Sequence, residues 1–271
     1  MMLTQIASLF SSYGPLPRRW FWRKAYNSLN RYFMELDWYF LNYGYAPADP
    51  KYQPPFLQAT DEADRLFIQL YEATVGDLPI SGLNVLEVGC GRGGGSSYLA
   101  RYRKPQYVLG VDRSEQAVNF CRRHHHVPNL SFERGDSEAL SQKDISFDLV
   151  INVESSHCYG SIDRFVAEVA RVLKPGGHFV WADFRNRKNM DQTERAFAMK
   201  ELKSLARVDI TDDVVRALDE IHERKLRAIE EKSPKLFIPT LREFAAAKES
   251  TIYREFKERR KIYLIHRFRR V

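Results

Sequence analysis

The sequence predicts an α/β domain, a mostly parallel sheet with helices on both faces, and three observations carry that prediction. Short apolar strands alternate with amphipathic helical stretches from residue 84 to residue 183, the order that builds a parallel sheet with crossover helices. The first strand runs into a glycine cluster, Gly89-Cys90-Gly91-Arg92-Gly93-Gly94-Gly95, where missing Cβ atoms allow positive φ and a close approach of backbone to a ligand. Acids recur at or just past strand ends, Asp112, Asp136 and Asp183, and a doubly wound sheet gathers those ends at one edge.

Taken in order, residues 1–56 read as an aromatic helical extension ending in a linker. Trp22, Tyr26, Leu29 and Phe33 recur at helical spacing, with Trp20 and Trp38 nearby and Arg23, Lys24 and Arg31 between them. Such a stripe packs on the core or rests on lipid or a greasy substrate. Pro47, Pro50, Pro54 and Pro55 make 46–56 a linker. Residues 57–271 read as the main domain, opening with helical character over 60–70. Strands are expected at 84–88, 107–111, 130–133, 147–153 and 178–183, with helices at 96–101, 114–124 and 162–173. The last of these helices shows Phe165, Val169 and Val172 on one face and is stopped by Pro175-Gly176-Gly177. Beyond Asp183 a charged helical region, about 191–232, carries one apolar stripe of Val214, Leu218, Ile221 and Ile229. A helical insertion there covers the ligand edge of such a sheet, so about 191–248 is expected to be a lid, a plain packing layer being the alternative. Residues 261–268 alternate as a last strand.

Composition narrows the function classes. The chain is 44% hydrophobic and 28% charged, which suits a globular protein rather than a disordered or disulfide-built one. Cys90, Cys121 and Cys158 lack metal-ligand spacing, and His124-His125-His126 sits at an expected helix end, so no metal is expected. Absence of a long apolar span or a leader-like N-terminus gives a cytoplasmic expectation. The net charge of +7 is spread along the chain, and no nucleic-acid module is recognisable, so nucleic acid is not an expected partner. A homodimer, and a peripheral membrane contact through the aromatic extension, are compatible with the sequence.

The glycine cluster satisfies G-x-G-x-x-G, and Asp112 follows at the distance of a ribose-binding acid, a pattern that fits a nicotinamide-dependent oxidoreductase. Two acids argue for another ligand: Glu87 inside the first apolar strand, and Asp136, where an adenine amino group needs an acceptor. A site with acidic acceptors and no Lys-bearing phosphate cradle suits a nucleoside that carries a cation.

These segments, 85–93, Gly110-Val111-Asp112, Arg134-Gly135-Asp136, 147–151 and Arg171-Val172-Leu173-Lys174-Pro175-Gly176-Gly177, resemble the class I S-adenosylmethionine-dependent methyltransferases. The resemblance implies a Rossmann-like fold with a mostly parallel seven-stranded sheet. It implies S-adenosylmethionine as cofactor and S-adenosylhomocysteine as product. It places the methionine portion on Glu87, Gly89, Cys90, Gly91 and Gly93, the ribose hydroxyls on Asp112 beside Arg113, and the adenine on Gly135, Asp136 and Ser137. Asn152 and Val153 then line the methionine side through their backbone. Residues 152–159, Ala182-Asp183-Phe184 and 59–65 are most similar to the phthiotriol/phenolphthiotriol dimycocerosate methyltransferase family, with O-methyltransferases of natural-product pathways related to it. That implies a hydroxylated small-molecule or lipid substrate, in the range of lipids, polyketides and glycosides.

Methyl transfer to a hydroxyl needs in-line alignment and a base for the departing proton. His157 stands just past the fourth strand and Asp183 at the end of the fifth, and a right-handed crossover makes those strands parallel and neighbouring. The carboxylate then fixes the imidazole tautomer, so His157 is the expected base and Asp183 its partner. Glu154 is a second candidate, as base or as partner to His157. The bland alternative is that His157 and Asp183 merely cap strand ends. N- or C-methylation, a nicotinamide oxidoreductase, a nucleic-acid methyltransferase and a non-catalytic cofactor-binding scaffold remain competing readings. The nucleic-acid reading lacks the Asn/Asp-Pro-Pro-aromatic element after the fourth strand, where this chain has Asn152-Val153-Glu154-Ser155.

Overall fold

The computed structural model describes residues 38–235 and 237–271. The expected helix of Trp22, Tyr26, Leu29 and Phe33 lies outside the described residues. After a 3-10 turn at Ala59–Asp64 the elements run α1 (Arg65–Val75), β1 (Asn84–Val88), α2 (Gly94–Tyr102), β2 (Tyr107–Asp112), α3 (Glu115–His124), β3 (Leu130–Arg134), β4 (Phe147–Val153) and α4 (Ile162–Val172). They continue with β5 (Leu173–Asn186), α5 (Arg187–Phe197), β6 (Leu202–Asp209), α6 (Thr211–Lys232), α7 (Ile238–Phe244), α8 (Thr251–Lys257) and β7 (Lys261–Arg270). The seven strands form one sheet in the order β3-β2-β1-β4-β5-β7-β6. β1 to β5 are mutually parallel, and β7 runs antiparallel between β5 and β6.

Alternation along the strands divides the core into two layers. On one face Val85, Leu149, Val180 and Ile265 meet α1, α2, α6 and α8 through Leu70, Leu99, Leu218 and Phe256. On the other, Leu86, Val150, Phe179 and Leu264 meet α4 and α5 through Phe165, Val169 and Met190. The helix α4 is set by Ser161, whose side chain accepts from Arg164 N, and its buried stripe is Phe165, Val166, Val169 and Val172. Each such side chain contributes about 1.5–3 kcal/mol on burial. The Pro175-Gly176-Gly177 stop lies inside β5, which pairs Leu173 with Phe147 and then shifts register to His178 opposite Leu149.

The region about 191–232 departs from the expected unbroken helix. Its first part is the end of α5, which packs on the α4 face, and residues 202–209 are the edge strand β6. β6 follows the pattern buried-exposed-exposed-exposed-intermediate-exposed-exposed-exposed. An edge strand open to solvent needs no apolar alternation, so the sequence concealed it, and backbone pairing to β7 supplies the order. The remainder of the expected 191–248 region is α6, which packs Val214, Leu218 and Ile221 on the sheet, and α7. Residues 46–56 carry no helix or strand. Before them a strap with Phe40 and Tyr43 is buried, fastened by Tyr45 N to Leu66 O (2.9 Å) and Ala46 N to Asp213 O (3.1 Å).

Candidate active site

Strand order reverses between β1 and β4, and the ligand edge of a doubly wound sheet lies at the carboxyl ends of such strands. The glycine loop stands there with φ of +77° at Gly89, +54° at Gly91 and +77° at Gly93. A Cβ on Gly89 would lie 1.8 Å from Ser155 Oγ, so only glycine fits this close passage. The loop's N–H groups are largely used within the protein. Gly89 N and Cys90 N donate to Val111 O (2.7 and 3.1 Å), and Gly91 N donates to Asp112 Oδ2 (2.9 Å). Ser114 N donates to Asp112 Oδ1 (2.8 Å), and burial pushes this carboxyl up to about 6 against those bonds. Gly135 N donates to Asp112 O (3.0 Å), bringing half-buried Asp136 and Ser137 to the same edge, with Arg113 Nη2 3.9 Å from Asp136. Glu87 is buried: Tyr71 OH donates to Oε1 (2.6 Å) and Ser96 Oγ to Oε2, while burial pushes it up to about 7. It thereby ties β1 to α1 and α2. His125 Nε2 bonds Arg92 O (2.8 Å), so the histidine run steadies the glycine loop from behind.

His157 lies in a 3-10 turn, Ser156–Cys158, after β4, and its Nδ1 is 2.8 Å from Asp183 Oδ1. Asp183 Oδ2 accepts from His157 N (3.0 Å) and Ser156 Oγ (2.9 Å), and Arg185 Nη1 lies 3.0 Å away. Trp181 Nε1 and Arg185 Nη2 both donate to Ser156 Oγ at 2.8 Å. Burial alone would raise the Asp183 carboxyl, but Arg185 and His157 outweigh it and hold the group well below the usual carboxylate range. Burial pulls His157 down, yet the Cys158 sulfur and Asp183 carboxylate raise it to about 10. Glu154, at φ +44°, accepts through Oε1 from Tyr43 N (2.8 Å) and Tyr263 OH (3.0 Å), and burial pushes it up to about 7. The Nδ1 partner of His157 is thus Asp183, and Glu154 is held by the strap and β7.

A family profile described as a methyltransferase domain matches residues 86–181. A fatty-acid O-methyltransferase of Mycolicibacterium smegmatis is 39% identical over 244 residues, 90% of this chain and 88% of that protein. The chain belongs to the class I S-adenosylmethionine-dependent methyltransferases. A phthiotriol/phenolphthiotriol dimycocerosates methyltransferase of Mycobacterium tuberculosis is 36% identical over 233 residues, 86% of each chain. Among solved structures, geranyl diphosphate C-methyltransferase from Streptomyces coelicolor superposes with a TM-score of 0.62 at 20% identity, over 91% of this chain and 98% of that one. The StiE O-MT superposes with a TM-score of 0.65 at 17% identity, over 89% and 90%. These two likenesses show the methyltransferase fold.

The residues present fit the methyltransferase cofactor. Asn152 gives its Nδ2 to Val88 O (2.7 Å) and Tyr159 OH (3.0 Å), leaving Oδ1 buried without a hydrogen-bond partner among the described residues at the β1–β4 switch point. That is an unused acceptor of the kind an ammonium needs. Gly89 passes close by, and Val153 is buried beside Asn152. Sequence reasoning did not find Tyr71, Ser96, Ser156, Trp181 or Arg185 in this methyltransferase site. For the last two a signal existed: Trp181, Asp183 and Arg185 alternate along one strand and share a face.

Proposed function

We propose that this methyltransferase acts on oxygen, transferring the methyl group to a hydroxyl of a lipid, polyketide or glycoside small molecule, with His157 as general base and Asp183 fixing its tautomer. The observation that carries the reading is the 2.8 Å contact between His157 Nδ1 and Asp183 Oδ1, on the sheet edge that also bears the glycine loop. The name of the fatty-acid O-methyltransferase relative supports oxygen as acceptor and lipid as the substrate class. S-adenosylmethionine, when bound, supplies an electrophilic methyl on a sulfonium. Glu87, Gly89, Cys90, Gly91, Gly93, Asn152 and Val153 would hold its methionine end, Asp112 with Arg113 its ribose, and Gly135, Asp136 and Ser137 its adenine. With a value near 10, His157 is mostly protonated at neutral pH, so only its deprotonated fraction can act as base and kcat should rise with pH. The neutral ring then accepts the acceptor's proton while Asp183 stabilises the imidazolium that forms.

The experiment is methyl transfer from labelled S-adenosylmethionine to hydroxylated lipids, with the methyl ether identified by NMR. His157→Ala is expected to lower kcat by about 10²–10⁴-fold while S-adenosylhomocysteine affinity stays near that of the parent. Undiminished turnover in His157→Ala, or a methyl group found on nitrogen or carbon, would overturn the reading.

A further inference from the structure

Polar residues interrupt the apolar stripe of α6: His222 is buried and accepts from Lys248 N, and a second follows it. Val214, Leu218, Ile221 and Ile229 are buried, and helical spacing predicts another apolar side chain between the last two. The chain places Lys225 there. Lys225 lines a cavity of about 210 Å³ whose walls include Phe40, Tyr43, Phe67, Ala228 and Phe244. Its Nζ stands 5.2 Å from the ring centre of Phe67 and 5.7 Å from that of Tyr43. Among the described residues no carboxylate forms an ion pair with it. Two aromatic faces attract an ammonium without neutralising it, so this half-buried one can still take a counter-charge.

The other polar groups around the cavity have protein partners or neighbours of their own. Asn42 spans Phe67 O and Gly44 N, Arg224 donates to Ala63 O, and Asp64 lies in the field of Arg224. Glu154 acts on Lys225 electrostatically from its own bonds to Tyr43 and Tyr263. Two packed aromatic side chains lie between the cavity and the base. Tyr43 lies 5.4 Å from Phe184, and Phe184 lies 4.7 Å from His157. A group bound at Lys225 is therefore separated from His157 by two aromatic side chains.

We propose that this cavity anchors a carboxylate carried on an apolar chain, and that Lys225 is the specificity-determining residue that selects it. The inference rests on the acceptor reading above and deepens it: the acceptor is an amphiphilic hydroxy acid, held by its carboxylate at Lys225 and methylated on a hydroxyl at His157. The apolar walls take the chain, and the ammonium gains an ion-pair partner that the described residues do not supply.

Calorimetry of dodecanoate and dodecanol, on protein saturated with S-adenosylhomocysteine, reads the anchor without turnover. Dodecanoate is expected to bind about tenfold or more tighter than dodecanol, as a charge-assisted contact requires. Lys225→Met should abolish that preference, and Lys225→Arg should keep most of it, with S-adenosylhomocysteine affinity unchanged in both. Equal binding of acid and alcohol by the parent, or an unchanged preference in Lys225→Met, overturns the anchor. In turnover, hydroxydodecanoate should show a lower KM than its methyl ester, and the product should be the methyl ether. A methyl ester formed on the carboxylate also overturns the assignment, because that group would then sit at the base. If dodecanoate binds as expected but no hydroxylated lipid is methylated, the anchor is supported and the O-methylation reading fails.

Discussion

Asp183 joins His157 to the core: its carboxylate meets His157, Ser156 and Phe184 N–H and lies 3.0 Å from Arg185. Asp183→Asn keeps the shape and removes the charge. Since that charge helps to raise His157, the variant's acid limb in a kcat-against-pH profile should move to lower pH, with kcat reduced about 10²–10⁴-fold. A profile superimposable on the parent's would remove Asp183 from the proposed proton transfer. Glu87 makes a separate prediction about stability. Its carboxyl is raised from 4.5 to about 7 in the fold, so between these values the folded protein binds more protons than the unfolded chain, and stability falls as pH rises. The effect is on the order of 3 kcal/mol. Urea titrations from pH 4.5 to 7.5 should show this decline, and a flatter one in Glu87→Gln; parallel slopes would contradict it. The acids themselves were legible because a carboxylate stands out in an apolar strand. Tyr71, Ser96 and Ser156 were not, because nothing in their local sequence names the acid each would meet.

At the scale of elements, the strand-to-helix turn after β1 was legible and the edge strand β6 was not. Both follow from burial: β1 is interior and apolar, whereas β6 exposes most of its side chains and is ordered by β7. The glycine turn yields a controlled comparison. Gly89 and Gly82 both have φ near +77°, but a Cβ at Gly89 would strike Ser155, while one at Gly82 meets nothing within 4 Å. Gly82→Ala should therefore cost about 1–2 kcal/mol of stability through backbone strain alone and leave S-adenosylhomocysteine binding intact. Gly89→Ala should weaken that binding about tenfold or more in calorimetry, because the turn must shift. Equal affinities in the two variants would show that the close passage at Gly89 does not shape the cofactor site. The expected 191–248 lid region divides for a similar reason: α5 and β6 belong to the other helical layer and the sheet edge, and α6 packs its stripe on the sheet.

For the whole molecule, a cofactor that binds only the folded chain stabilises it by mass action, about 2.7 kcal/mol at a hundredfold excess over Kd. S-adenosylhomocysteine at that excess should raise the thermal midpoint by roughly 5–10 °C, and NAD should not. The reverse result would contradict the cofactor assignment. Among the described residues no helix is long and apolar enough to cross a membrane. The sequence by itself determined the alternation of strands and helices, the glycine turn, and the acids at the sheet edge. Each of these is written in a local period or in a residue type that stands out from its neighbours. The tertiary structure alone decided that β7 inserts between β5 and β6, that Ser156 shares Asp183 with His157, and that Lys225 faces a cavity walled by the strap and α1. Those outcomes depend on which elements lie side by side, and contacts between residues far apart in the chain leave no periodic trace in it.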